Sequence, residues 1–340
     1  MELQKALEEY FHSKIDSITY AQNDIIVSIR NVGIYRLKLQ ENISGREFFT
    51  YAALTHLANN RFRNISHPVF YVPFIFENKI YYTFNYISGR EGSIENMQDI
   101  RQCVALLAIM HKNADGFTYA KAQRLMNEFN NALDEEFRVD DISKYIRKDI
   151  GKLPELYSHR ADELARYKKI ASRKNNQFDY AYVAIADYYC EKASQLSKQL
   201  LTSGYNELVT YYNLKGTLCH KEFNAHNVIF GEHPYIVNFE NCSIDLPVLD
   251  LANIIKRKMR KDKWNPQTAH SIINSYTKHR DLTQADINVL KIVLEYPQKL
   301  WRIVNKYYNS RRTWCEKSCM QKLEEVQDEK NGVIAVVNSL

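Results

Sequence analysis

Apolar and polar residues along the chain follow two different rhythms, and the change between them falls near residue 90. Glu2 to Ser13 reads as an opening helix. Ile15 to Tyr20, Ile25 to Arg30 and Ile34 to Leu39 alternate and are rich in β-branched residues, with Asn23-Asp24 and Asn31-Val32-Gly33 as turn formers, which predicts a small antiparallel meander. Ser44 with Glu47 three residues on has the form of a capping box, and Phe48, Tyr51, Ala52 and Leu54 to Leu57 carry a helical stripe to about Asn59. Phe70 to Phe76 and Lys79 to Tyr86 form a further strand pair around Glu77-Asn78.

Ser88-Gly89-Arg90-Glu91-Gly92 brings two glycines close together, and 87–92 is read as a linker. Beyond it the pattern is helical: Met97 to His111, Tyr119 to Phe137, and one long stretch from Tyr157 to Thr202. A strand-like island interrupts at Leu218 to Glu240, where Val228 to Phe230 and Tyr235 to Phe239 flank the turn Gly231 to Pro234. Helices resume from Leu249. The expected division is a small amino-terminal lobe at 1–86, the linker at 87–92, and a large helical lobe at 93–340 that carries the island.

Composition narrows this further. The length of 340 residues favours two lobes over one core, and 45% hydrophobic with 25% charged residues excludes wholesale disorder. Only 10 Gly and 7 Pro exclude collagen-like and all-β sandwich readings. The longest apolar run, Cys103 to Met110, is too short to span a bilayer, and Met1 to Ile15 has no signal-peptide core, so a cytoplasmic protein is expected. A net charge of +6 suits an anionic ligand such as a nucleotide without requiring nucleic acid. The six cysteines are scattered and read as reduced; Cys315 and Cys319 stand one helical turn apart with no second pair at zinc spacing.

The segment that carries chemistry is His220-Lys221-Glu222-Phe223-Asn224-Ala225-His226-Asn227, followed by Val237-Asn238-Phe239-Glu240 and Asp250-Leu251-Ala252. Phosphoryl transfer needs a carboxylate to orient the attacking hydroxyl, an amide oxygen for a metal, and a further metal ligand against the phosphates. Glu222, Asn227 and Asn238 occupy those three places.

This spacing resembles the aminoglycoside phosphotransferase and choline kinase superfamily, a small-molecule branch of the protein-kinase-like fold. More closely the chain is similar to the bacterial spore coat CotS family: Tyr35 to Lys38, Thr55-His56-Leu57, Tyr86 to Glu91, His111 to Phe117, Cys242 to Pro247 and Tyr296 to Trp301 fall in the expected order, covering about residues 15 to 325. The resemblance implies a two-lobed α+β fold, with a five-stranded sheet and one helix in the small lobe. It implies that Lys38 pairs with nucleotide phosphates, that Glu47 partners Lys38, that the segment at Tyr86 faces the adenine, and that Asp250 braces the catalytic loop. It implies Glu222 as the catalytic carboxylate and Asn227 and Asn238 as metal ligands, with ATP and Mg²⁺ as cofactors.

Two positions depart from the family pattern, which has Asp where Glu222 and Asn238 stand. Asn238 removes a full negative charge from a site for a hard divalent cation. Glu222 sets its carboxylate one methylene further out, and a misplacement of about 1 Å costs roughly 100-fold in rate. The first hairpin turns through Tyr20 to Asp24 with no glycine to cradle a phosphate, while Glu240 offers a charge two residues beyond Asn238. The expected function is therefore a degenerate, kinase-like spore coat protein that acts in coat assembly on other coat proteins. An active small-molecule phosphotransferase is the alternative.

Each of these residues also has a plainer reading. Lys38 is a strand lysine, Glu47 a capping residue, His220 a packed structural histidine and His226 a solvent-facing one. The run Lys256, Arg257, Lys258, Arg260, Lys261, Lys263 reads as a solvated helix face rather than a nucleic-acid or membrane patch. Trp301, Tyr307, Tyr308 and Trp314 read as an aromatic stripe packed into the helical lobe.

Overall fold

The computed structural model describes residues 2–21, 23–40, 45–69, 72–133, 135, 138–174, 176–309 and 316–340. Gln22, the Ser44 cap, Phe70, Phe137, Trp314 and Cys315 lie outside the described residues. The chain forms two compact units, Met1–Lys148 with Leu214–Ile244, and Asp149–Asn213 with Asp245–Leu340.

The first unit begins with helix α1 (Glu2–Phe11) and strands β1 (Ile15–Ala21), β2 (Asp24–Ile29) and β3 (Gly33–Gln40). Helix α2 (Gly45–Asn59) and strands β4 (Phe74–Phe76) and β5 (Lys79–Asn85) follow. The five strands make one antiparallel sheet in the order β1-β2-β3-β5-β4. Leu3, Leu7 and Phe11 recur every fourth residue on α1, so they share the face that packs against Ile25, Val27, Ile29 and Leu37.

Strand periodicity then decides where Lys38 points. Leu37 is fully buried toward α1, so Arg36 and Lys38 project from the opposite face, in register with Phe84 and Tyr82. Helix α2 covers part of that second face and is buried nearly all round; Tyr51 meets the rings of Tyr82 and Phe84 on one side and of Phe129 on the other.

The expected linker contains a short strand, β6 (Arg90–Glu91), which pairs with β7 (Val228–Phe230), itself paired with β8 (Pro234–Ile236). Its glycines serve close approach. A Cβ on Gly89, at φ +155°, would lie 2.5 Å from the Phe230 carbonyl oxygen, and one on Gly92 would lie 2.7 Å from that of Ala225. Arg90 holds Asp99 through two hydrogen bonds of 2.6 and 2.9 Å at the start of helix α3 (Met97–Asn113), and α4 (Tyr119–Asn131) follows.

The second unit is helical. The stretch Tyr157 to Thr202, expected as one run, is two helices, α5 (Leu153–Ala171) and α6 (Gln177–Leu201). The break comes where Asn176 leaves helical geometry and caps α6 by accepting from the Asp179 N–H. Most of α7 (Tyr205–Lys215) follows, then α8 (Pro247–Lys261), α9 (Pro266–Thr277), α10 (Gln284–Glu295), α11 (Gln298–Asn309) and α12 (Glu316–Ser339). The aromatic stripe of α11 packs on α5 and α6 as expected: Tyr307 stacks on Phe178 at 3.9 Å, Tyr308 on Tyr167, and Trp301 donates to Glu163.

The basic run on α8 is only partly solvated, contrary to the sequence reading. Lys258 is 3% exposed, and its ammonium reaches Asp262 one turn on at 2.9 Å. A lysine stem is long enough to lie in a core while its head finds a carboxylate at the helix end.

Candidate functional site

The candidate loop hangs from a short backbone bridge in which Cys219 and Ser243 exchange hydrogen bonds of 2.8 and 3.0 Å. His220 is fully buried between the rings of Phe223 and Phe239, and its Nε2 donates to the Val237 carbonyl at 2.9 Å. That fixes the loop to the strand after it. Lys221 then takes a left-handed conformation, φ 70°, and turns the chain so that Glu222 is exposed while Phe223 and Ala225 anchor on either side. The Glu222 carboxylate has no hydrogen-bond or ion-pair partner among the described residues, whereas its carbonyl accepts from Asn224 Nδ2 at 2.9 Å and Asn227 Nδ2 at 3.1 Å.

The structure brings Asn227 and Asn238 together. Asn238, at φ 65° where asparagine is among the better tolerated residues, donates from Nδ2 to Asn227 Oδ1 at 2.9 Å. The orientation of both amides follows from the far end of this chain. An oxygen of Asn227 cannot face the Glu222 carbonyl oxygen, so Nδ2 must, and Oδ1 is turned to Asn238. A divalent cation would have to share that oxygen with an N–H donor, and neither asparagine brings a charge.

Lys38 reaches the same place from β3. Its ammonium forms an ion pair with Glu240, half-buried on one side and partly solvated on the other. Arg147 holds the backbone there by donating to the Glu240 carbonyl and to Asn241 Oδ1. An open cleft of about 470 Å³ is lined by Lys38, Tyr86, Asn238 and Glu240, with Glu91 and His226 also on its wall. The imidazole of His226 lies 3.1 Å from Glu91, both largely exposed, in keeping with a solvent-facing histidine.

Glu47 lines a second cavity of about 200 Å³ that shares Lys38 and Glu240 with the first. Tyr51 and Tyr82 border it, each 1% exposed, and neither hydroxyl has a hydrogen-bond partner among the described residues. Burial, with the Glu47 carboxylate nearby, holds both phenols well above their ordinary range, so both stay protonated. Asp250 is buried in the first turn of α8, in the second unit. Sequence reasoning missed the Lys38–Glu240 pair, although Glu240 was in view as a spare charge. It had no signal for Arg147.

A lysine on the third strand, a motif loop with an amide at its end, and a further amide on the next hairpin define a protein with the kinase-like aminoglycoside phosphotransferase fold. Comparison with known proteins agrees: an aminoglycoside phosphotransferase from Alicyclobacillus acidocaldarius superposes with a TM-score of 0.73 at 16% identity, covering 96% of this chain and 91% of that one. Spectinomycin phosphotransferase APH(9)-Ia, solved with ADP and spectinomycin, gives 0.54 at 14% identity over 100% of this chain and 98% of that one. The chain belongs to the family described as spore coat putative kinase YutH, whose model matches residues 101–340. Among curated proteins it is similar to spore coat protein S of Bacillus subtilis strain 168, 24% identical over 196 residues. That match spans about half of each protein, 55% of this chain and 56% of the relative.

Proposed function

We propose that this protein works in the spore coat as a kinase-like assembly protein with little or no phosphotransferase activity, made in the cytoplasm and deposited through contacts with other coat proteins. The observation that carries this reading is the closed amide chain from Asn238 through Asn227 to the Glu222 carbonyl. It engages both polar atoms of the Asn227 amide within the protein, so the oxygen that the family resemblance assigns to Mg²⁺ already accepts an N–H. The Lys38–Glu240 pair adds to it, since a phosphate seeking Lys38 must compete with a carboxylate already in place. If Mg²⁺ were bound, Asn227 and Asn238 would hold it by their amide oxygens and it would supply charge to the phosphates. The membership in a spore coat family supports the setting, and no described helix is long and apolar enough to cross a membrane.

The cleft itself supports a second reading, an active ATP-dependent phosphotransferase. It is roomy and Tyr86 on its wall offers a ring for a purine, while the exposed Glu222 carboxylate, outside that lining, has no partner among the described residues. Thermal-shift titration of the whole chain with ATP, with and without Mg²⁺ or Mn²⁺, separates the two, because stabilisation follows RT ln(1 + [L]/Kd) without a known acceptor. The coat-protein reading expects a weak, metal-independent shift. A large Mg²⁺-dependent shift, with phosphate release at roughly 1 s⁻¹ or above, establishes the enzyme instead.

A further inference from the structure

The second unit contains a cavity of its own, about 70 Å³, walled by α6, α8, the end of α10, the start of α11 and α12. Five cations line it, Lys192, Lys256, Arg260, Lys299 and Lys330, against two carboxylates, Glu295 and Glu329. Both carboxylates are already engaged: Lys192 bonds Glu295 at 2.5 Å and Lys299 bonds Glu329 at 2.6 Å. Lys330 lies 3.5 Å over the Tyr188 ring. Lys256 and Arg260, one turn apart on α8, have no hydrogen-bond or ion-pair partner among the described residues.

Lys256 is half-buried, and burial with the guanidinium groups of Arg260, Arg302 and Arg160 nearby pushes its ammonium down to about 7. Trp264 borders the same cavity at 4% exposure, and its indole N–H is buried with no acceptor among the described residues. A folded core seldom leaves a buried donor dry and a desolvated ammonium among guanidinium groups, and each is relieved by a single acceptor carrying negative charge.

We propose that this cavity binds a short-chain organic monocarboxylate, with Lys256, Arg260 and the Trp264 indole N–H taking the carboxylate and Leu294 and Leu300 its short apolar body. Charge and lining choose this class over inorganic phosphate, and size limits its body to one or two carbons. The void holds about two water molecules' volume, and its remaining wall is largely aliphatic and aromatic, which leaves a strongly hydrated tetrahedral dianion short of donors. A planar carboxylate needs partners for only two oxygens. The site lies wholly within the second unit and is independent of the nucleotide question.

The test uses the whole chain with sodium acetate and sodium propionate as probes, at ionic strength held constant with sodium chloride. Thermal shift is read together with the Trp264 indole N–H resonance, assigned through Trp264→Phe. Wild type is expected to show saturable stabilisation and a moving indole resonance with at least one carboxylate. Lys256→Met is expected to fold with an unchanged or raised melting temperature, since it removes a desolvated cation, and to bind at least tenfold more weakly. Arg260→Met, at the exposed rim, gives the same loss if the Lys256 variant fails to fold. No saturable response to either carboxylate, an undiminished response in the variants, or an equal response to inorganic phosphate overturns the proposal.

Discussion

Asn238 gives an amide hydrogen to Asn227 across 2.9 Å, and Asn227 passes the interaction on to the carbonyl of Glu222. The direction of this chain is set by the carbonyl at its end, so the two asparagines are not interchangeable with two carboxylates.

Asn238→Asp therefore has a signed expectation. Aspartate tolerates φ 65° as asparagine does, but its carboxylate faces Asn227 Oδ1 with no proton to offer. The metal-free variant should lose about 1 kcal/mol. Mg²⁺ should restore it and strengthen ATP binding by at least about tenfold, or about 1.4 kcal/mol. Calorimetric titration of the variant and of Glu222→Asp/Asn238→Asp reads this, with most of the gain expected from position 238. An Asn238→Asp protein that binds no better than wild type places the defect in the cleft rather than in the missing charge.

Glu240→Gln asks whether the partner of Lys38 blocks phosphates or serves a metal. As a competitor, its removal frees Lys38 and improves Mg²⁺-free ATP binding by about fivefold, the scale of a partly exposed ion pair at about 1 kcal/mol. As a metal ligand, its removal weakens Mg²⁺-dependent binding. The coat-protein reading expects the first result, and Lys38→Met should then abolish the residual binding.

The Arg90–Asp99 contact should be visible in the pH dependence of stability. The Arg90 hydrogen bonds, aided by the Ser93 N–H, hold the Asp99 carboxyl below its ordinary 3.8 although burial opposes them. A depressed folded value means the stabilisation is complete above 3.8 and is lost as pH falls below it. Denaturant midpoints between pH 6 and 2.5 should fall less steeply for Asp99→Asn than for wild type.

Gly89→Ala meets both a positive φ and the Phe230 backbone, and should cost at least about 2 kcal/mol. Gly33→Ala is the control, because it has a similar φ of +151° with nothing nearer than 3.8 Å, and about 1 kcal/mol is expected there. Equal losses in urea unfolding would show that the close approach at β6 is not tight.

Much of the fold was legible because it rests on local rules. Alternation along Ile34 to Leu39 marked the third strand that carries Lys38, and the motif spacing singled out Glu222, Asn227 and Asn238. What stayed hidden depends on contacts that leave no local trace. The Tyr and Ala pattern runs on past residue 176, so the break between α5 and α6 is marked only by the Asn176 cap. The pairing of β6 with β7 gives Gly89 and Gly92 a steric reason that turn chemistry alone does not. Arg147 meets Glu240 across 93 positions of chain. Lys256 and Lys258 sit in a charge run whose inward side is set by packing, not by composition.

Lys38 and Glu240 are 202 positions apart, and the first unit is built from two stretches of chain separated by residues of the second. During synthesis the five-stranded sheet and α1 can close on one another from local contacts, but the cleft has no floor until residues 214–244 have left the ribosome. Until then the arm that carries Lys38 presents an ammonium that lacks its Glu240 partner. A truncated chain ending before residue 214 would hold its sheet and lack its site, which makes completion of the cleft a marker that synthesis has passed residue 244 and reached the remaining helices of the second unit.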